Sequence, residues 1–302
     1  MSKKTIYALG FFDGVHLGHQ ALLAACRELA QEMEMISGVL TFSGHPDTLV
    51  HGKAPGLITT EEDRNRLLTQ KYRIERVVSL PFDRKLMEMS WEDFFRMLME
   101  DYDCGGIVCG EDFRFGYRGE GDARKLLTAC RREGIPCIVV NQMKLGGRVI
   151  SSTHIRCLVE MGLMEHAIHF LGHPYMLTGT VVPGQQLGRR LGVPTANLEF
   201  PAELAVPKFG VYACRCRVDE RWYPAVTNVG TRPTVAGVGI TVEPWILDFT
   251  GDLYGREITL TFHKFLRPEI KFDCLKDLQQ AIRADAEKTK EILRDNPTLN
   301  WD

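Results

Sequence analysis

The stretch GFFDGVHLGHQALL, Gly10 to Leu23, sets two histidines, His16 and His19, three residues apart in a glycine-punctuated turn. The turn follows a short apolar run, Thr5 to Leu9, and precedes a helical pattern. A glycine-rich turn between a strand and a helix N-terminus offers an anion backbone N–H groups and the positive end of the helix dipole. Imidazole adds a hydrogen bond to a phosphate oxygen in either protonation state, provided the right tautomer is held. Two histidines at that place are therefore expected to bind phosphate. The plain alternative is that they satisfy turn and cap hydrogen bonds. Neither the G-x-x-x-x-G-K-[ST] loop nor the G-x-G-x-x-G dinucleotide fingerprint is present.

The elements that must carry this turn are legible from periodicity. Up to about Gly172, the apolar runs Thr5–Leu9, Ser37–Phe42, Arg76–Leu80, Ile107–Cys109 and Ile135–Val140 alternate with helical spacing such as Leu22, Leu23, Cys26 and Leu29, or Trp91, Phe94, Phe95 and Leu98. Thr59 with Glu62 reads as a capping box, and Gly134 as a helix stop. This rhythm predicts a doubly wound parallel sheet. Beyond Gly172 come strand-like runs between Gly, Pro and Asn turns: TGTVV, GVYACRCRV, RWYPAVTNV, ITVEPWILDF and EITLTFHKFL. That density predicts a small antiparallel barrel. A final amphipathic helix places Leu275, Leu278, Ile282, Ala286, Ile292 and Leu293 on its apolar side. The domain boundary is expected near Leu171–Tyr175, giving domains 1–172 and 173–302.

Composition narrows the class. The chain has 302 residues, enough for two domains, and 44% apolar residues, enough for a core in each. No run of eighteen apolar residues suggests a membrane span, and no export signal is read at the start. A net charge of −2 argues against a broad nucleic-acid surface. The nine cysteines include no C-x-x-C pair, so reduced, mostly buried thiols of a cytoplasmic protein are expected.

GFFDGVHLGH looks like the signature of the nucleotidyltransferase superfamily, whose members attack the α-phosphorus of a nucleoside triphosphate. Further stretches narrow the resemblance: TFSGHP, CGEDFRFG and ISSTHIR in the first half; GTVVPGQQLGRRLGVPTANL, FGVYA, NVGTRPT, VEPWILDFTGDLYG and FLRPEIKFDCLKDL in the second. Together, in this order and nearly end to end, they resemble the bacterial bifunctional riboflavin kinase/FMN adenylyltransferases, the FAD synthetases.

For the first half, the resemblance implies a Rossmann-like nucleotidyltransferase domain that joins FMN to ATP, giving FAD and pyrophosphate. The FMN phosphate is already substantially ionised at neutral pH, its second pKa being about 6, so no dedicated base is needed. Alignment, Mg2+ and donors for growing charge are needed instead. His16 and His19 would be such donors. Gly10, Phe11, Asp13 and Gly14 belong to the same nucleotide-binding turn, and Ser151, Ser152, Thr153 and Arg156 would hold the phosphates from the opposite side. By themselves those last four read as an ordinary N-cap and a solvated arginine. Asp112, Phe113 and Arg114 fall at flavin-binding positions of the family motif, with a simple turn acid as the equal alternative for Asp112.

For the second half, the resemblance implies a six-stranded flavokinase barrel with a C-terminal helix, phosphorylating riboflavin with ATP. The acceptor there is a primary alcohol, so a general base is useful, and Glu243 occupies the matching position. Thr195 and Asn197 would help hold Mg2+. Gly184, Gly188, Arg189 and Gly192 would form a nucleotide-binding loop. In isolation, PTAN reads as a turn and Glu243 as a surface carboxylate.

The chain departs from the family pattern at Gly44 and Asp47 beside His45–Pro46, at Gly119, and at Trp245, where a histidine is common. Pro244 inside a strand argues for an edge or a bulge. Two alternatives therefore stand beside a bifunctional enzyme: a riboflavin kinase with an impaired adenylyltransferase, and a non-catalytic flavin-binding regulator. The expected partners are riboflavin, FMN and ATP, with no nucleic acid and no membrane, for a monomer or weak homo-oligomer.

Overall fold

The computed structural model describes residues 3–52, 54–184, 193–234 and 237–295. These fall into two compact units, Met1–Pro55 with Arg64–Ser152, and Gly56–Asp63 with Thr153–Asp302.

The first unit is built on a five-stranded parallel sheet of β1 (Thr5–Leu9), β2 (Ile36–Ser43), β3 (Arg76–Pro81), β4 (Cys104–Gly110) and β7 (Cys137–Val140), in the order β3-β2-β1-β4-β7. Every residue of β1 is buried, as a central strand covered on both faces requires. Helix α1 (Leu17–Glu32) covers one face with Leu22, Leu23 and Cys26, the last donating its S–H to the Ile6 and Gly38 carbonyls. On the other face Tyr7, Leu9, Leu40 and Ile107 pack with α5 (Trp91–Asp101) and α6 (Ala123–Arg132). Gly134, at φ 68°, follows the end of α6, and the Ile135 N–H closes on the Cys130 carbonyl. Two short hairpins, β5 (Arg114–Phe115) with β6 (Gly121–Asp122) and β8 (Lys144–Leu145) with β9 (Arg148–Val149), follow β4 and β7. Between β1 and β4 the strand order reverses, and the carboxyl ends there open the crevice where such sheets bind ligands.

Helices α2 (Pro46–His51), α3 (Glu61–Arg66) and α4 (Arg84–Glu88) are short. The expected capping box at Thr59 is displaced by one residue. Helix α3 begins at Glu61, so Thr60 is the cap, its hydroxyl accepting the Asp63 N–H at 3.1 Å.

In the second unit, α7 (Ser152–Glu160), of which all but Ser152 belongs to this unit, and α8 (Met164–Leu171) lead into a six-stranded antiparallel sheet ordered β10-β15-β12-β13-β14-β11. Its strands are β10 (Tyr175–Thr180), β11 (Leu198–Glu199), β12 (Gly210–Val218), β13 (Arg221–Thr234), β14 (Gly237–Ile246) and β15 (Glu257–Arg267). A bridge between Val181 and Leu198 brings the two ends of the sheet together as a barrel. Tyr212, Cys214, Cys216, Leu260 and Phe262 are fully buried. Helix α9 (Leu275–Asp295) packs against β12 and β13 through Ala286, with Val211 and Val226 beneath it. Leu275, expected on the apolar side, is 61% exposed because it begins the helix beyond the sheet contact. Cys157 and Cys274 are exposed; Cys137 is half-buried and the other six thiols are buried.

Candidate active sites

The chain turns sharply as β1 ends. Phe12 (φ 59°), Gly14 (φ 74°) and Val15 (φ 40°) all enter the left-handed region, and His16 returns to extended backbone as the N-cap of α1. Nδ1 of His16 accepts the His19 backbone N–H at 3.2 Å. A nitrogen that accepts carries no proton, so neutral His16 is the tautomer protonated on Nε2. The two rings stack, 3.6 Å between centroids and 11° between planes, and Phe12 packs on His19 at 5.1 Å. Burial, then the His16 ring, then the Arg64 charge push the His19 pKa well below its usual value. His19 is thereby held neutral. Its Nδ1 is buried and has no hydrogen-bond partner among the described residues.

These histidines, with Gly10, line a cleft of about 280 Å3 whose other walls include Asp112, Phe113, Gln142, Ser151 and Ser152. The walls follow β1, β4 and β7, so the cleft lies at the reversal of strand order. Ser152 Oγ donates to the Asp13 carbonyl at 2.9 Å, within the first unit. Asp112 accepts from the Gln142 amide at 2.9 Å. Phe113 stacks on Phe115 at 5.5 Å.

Other expected residues shape the turn or stand apart from this cleft. Asp13 and Gly14 are buried within the turn. The Phe11 carbonyl accepts from Thr41 Oγ1 at 2.9 Å, and its ring meets the edge of His45 at 4.9 Å. Arg114 faces Asp122 at 3.8 Å across its hairpin. Thr153 is exposed in the first turn of α7, and Arg156, one turn on, is buried with Nε donating to the Gly56 carbonyl.

Two clefts of the second unit hold residues expected at the site. One, of about 260 Å3, lies between the outer face of the barrel and α9, with Glu243, Thr195 and Asn228 beside Val211, Val226 and Trp245. The alternation of β14 accounts for this: Val242, Pro244 and Ile246 are buried, while Glu243 and Trp245 face the cleft. Glu243 sits opposite Asn228 of β13, whose amide donates to Glu269 at 3.0 Å. The Pro244 carbonyl accepts the Ala196 N–H at 2.9 Å, on the side away from β13. In an antiparallel strand both polar groups of a residue point to one side, so the missing N–H takes no bond from β13. Proline is tolerated there because β11 supplies only two paired residues on that flank.

The second cleft, of about 340 Å3, runs between Pro194–Ala196 and the segment Phe249–Tyr254. Thr195 lines both. Asn197 stands over Gly184, where an added Cβ would lie 2.1 Å from its Nδ2. Gly188, Arg189 and Gly192 lie outside the described residues.

Two family models match the chain: FAD synthetase over residues 1–154 and riboflavin kinase over residues 171–293. A bifunctional riboflavin kinase/FMN adenylyltransferase of Pseudomonas fluorescens is 36% identical over 290 residues, covering 95% of this chain and 92% of that one. The chain belongs to the bifunctional riboflavin kinase/FMN adenylyltransferase family. The Escherichia coli K12 member of the family is 34% identical over the same shares of the two chains. A solved structure, described as a macrolide-efflux protein from Streptococcus pneumoniae, superposes with TM-score 0.87 at 28% identity, over 96% of this chain and 95% of that one. Among the described residues no helix is long and apolar enough to cross a membrane.

Of the positions that depart from the family pattern, Gly44 and Gly119 take φ values of 74° and 68°, which suit glycine. Asp47 lies in the first turn of α2, its N–H capped by His45 Nδ1 at 3.1 Å. Sequence reasoning passed over Arg64, 1% exposed on α3, and His45, both packed on Phe11. For Arg64 the available signal was its place one turn before the buried Leu67 and Leu68.

Proposed function

We propose that this family member phosphorylates riboflavin with ATP to FMN in residues 173–302, and adenylylates FMN with ATP to FAD and pyrophosphate in residues 1–172. The observation that carries the reading is the presence in one chain of the stacked histidine pair at the head of α1 and of Glu243 beside Thr195 in a largely apolar cleft.

In adenylyl transfer, an ionised FMN phosphate oxygen attacks the α-phosphorus and the bond to pyrophosphate breaks. Nε2–H of His16 and the ring N–H of His19 would meet the charge growing on the α-phosphate and the leaving group. His19, held neutral, supports donation from a fixed ring N–H. Ser151 and Ser152 line the same cleft and would orient the triphosphate, with Asp112 and Phe113 at the flavin end.

In the kinase reaction Glu243 would take the proton of the ribityl hydroxyl as its oxygen bonds to the γ-phosphorus and ADP leaves. Val211, Val226 and Trp245 suit a flat aromatic ring, and the adjoining cleft suits the nucleotide, with Thr195 at the junction of the two. The Thr195 hydroxyl and the Asn197 amide are hard oxygen donors that fit Mg2+, and they would hold it against the phosphates. Bound Mg2+ would neutralise phosphate charge. Such an enzyme is expected to work in the cytoplasm, on small molecules alone.

Incubating purified protein with riboflavin, ATP and Mg2+, and identifying the flavins by chromatography, tests the whole reading. FAD is the expected product. FMN alone would leave only the kinase, and unchanged riboflavin would remove both activities.

A further inference from the structure

We propose that Arg64 is a positioning residue for FMN adenylylation, holding through Phe11 and Phe42 the turn that carries His16 and His19; this rests on reading the first unit as the adenylyltransferase. A buried guanidinium is costly unless its charge and donors are met. Arg64 is 1% exposed, so a solvated surface role does not describe it. Its guanidinium carbon lies 4.8 Å from the Phe11 ring centroid, and Nη2 donates to the Phe42 carbonyl at 2.8 Å.

The first contact falls on the histidine turn and the second on β2, which is bonded to that turn. Thr41, which precedes Phe42, donates its hydroxyl to the Phe11 carbonyl, so Phe11 is fixed by its ring and by its backbone. The next residue, Phe12, packs on His19, and His19 stacks on His16. A displacement of Phe11 would therefore pass within two contacts to the imidazoles. The charge acts as well. Among the described residues, the titratable or charged groups that line the cleft with His19 or act on it are His16 on the same turn, Arg64 from α3 and Asp112 across the cleft; of these His16 and Arg64 oppose its protonation.

Arg64→Met keeps the bulk beneath Phe11 and removes the charge and the donor. It is expected to lower kcat for FAD formation about tenfold, the scale of one desolvated cation–π contact, with KM for FMN changed less than about twofold. Riboflavin phosphorylation should stay at the wild-type rate. By imidazole NMR of the ligand-free protein, His19 should titrate at higher pH than in wild type. Arg64→Lys keeps the charge without the planar fork, so it should lower kcat while leaving the His19 titration in place.

An unchanged kcat in Arg64→Met, or a His19 titration that does not move, overturns the proposal. So does a joint loss of both activities with a lowered unfolding temperature in both variants, which would assign Arg64 to the fold alone. The NMR measurement needs no turnover. A wild-type chain that makes no FAD would sink the adenylyltransferase reading and still leave the Arg64–His19 coupling to be judged.

Discussion

Nδ1 of His16 takes the backbone N–H of His19, and the two rings lie face to face 3.6 Å apart. This one relationship caps α1 and fixes the His16 tautomer, leaving its Nε2–H to donate. Replacing His19 by alanine removes a donor without removing the cap, because the capping N–H belongs to the backbone. His19→Ala is therefore expected to slow FAD formation from FMN by about 10² to 10³, the usual loss for one transition-state donor. FMN formation from riboflavin should be nearly intact. Equal loss of both rates would mean that the side chain supports the fold instead.

Glu243 is held by the register of β14 against β13, opposite Asn228, and not by a loop. Glu243→Gln preserves size and most packing but cannot accept the ribityl proton. Riboflavin phosphorylation is expected to fall by about 10² to 10⁴, the range for general base catalysis. FMN supplied directly should still become FAD. Failure of the supplied FMN to react would couple the two sites or displace Glu243 from its assigned role.

Much of this architecture could be read in advance because its signals are long. GVYACRCRV was bounded to the residue as β12, and the apolar run Thr5–Leu9 is β1. Strand β11 escaped notice because two residues carry no periodicity, although its bridge to Val181 closes the barrel. Arg64 escaped for another reason: an arginine in EEDRNR reads as solvated surface, and only tertiary packing puts it under Phe11. Thr60 replaced Thr59 as the cap because either threonine satisfies the pattern, and the start of α3 decides between them. The order β3-β2-β1-β4-β7, which places the cleft, is set by packing between distant segments and leaves no local mark.

Gly184 gives a way to reach Asn197 without mutating it. An added Cβ would lie 2.1 Å from Nδ2 and 2.5 Å from Cγ of Asn197, so the amide must rotate away. The Asn197 backbone is pinned by the Val182 N–H at 2.8 Å, so the main chain is poorly placed to absorb the clash. Gly184→Ala should raise the Mg2+ concentration for half-maximal kinase activity about tenfold, as loss of a supporting group around a metal does. FMN adenylylation should keep its Mg2+ dependence. An unaltered Mg2+ titration of the kinase would remove Asn197 from the metal site.

His263 makes the stability of the second unit depend on acid. Its ring is buried on β15, with Nε2 3.1 Å from the Thr261 hydroxyl. Burial first, and then the Arg215 charge, push its pKa down to about 3 from an ordinary 6.5. In the unfolded chain the same imidazole titrates normally, so between those values the unfolded state binds the extra proton. Stability is then full above the ordinary pKa and declines as pH falls toward the folded one, with a slope near 1.4 kcal/mol per pH unit. From pH 7 to pH 5 the wild type should lose about 2 kcal/mol more than His263→Gln, whose amide does not titrate. Denaturant unfolding of both proteins at the two pH values measures the difference. Equal acid losses would mean that His263 is protonated in the fold at the higher pH or is open to solvent, and either result contradicts its burial beside Arg215.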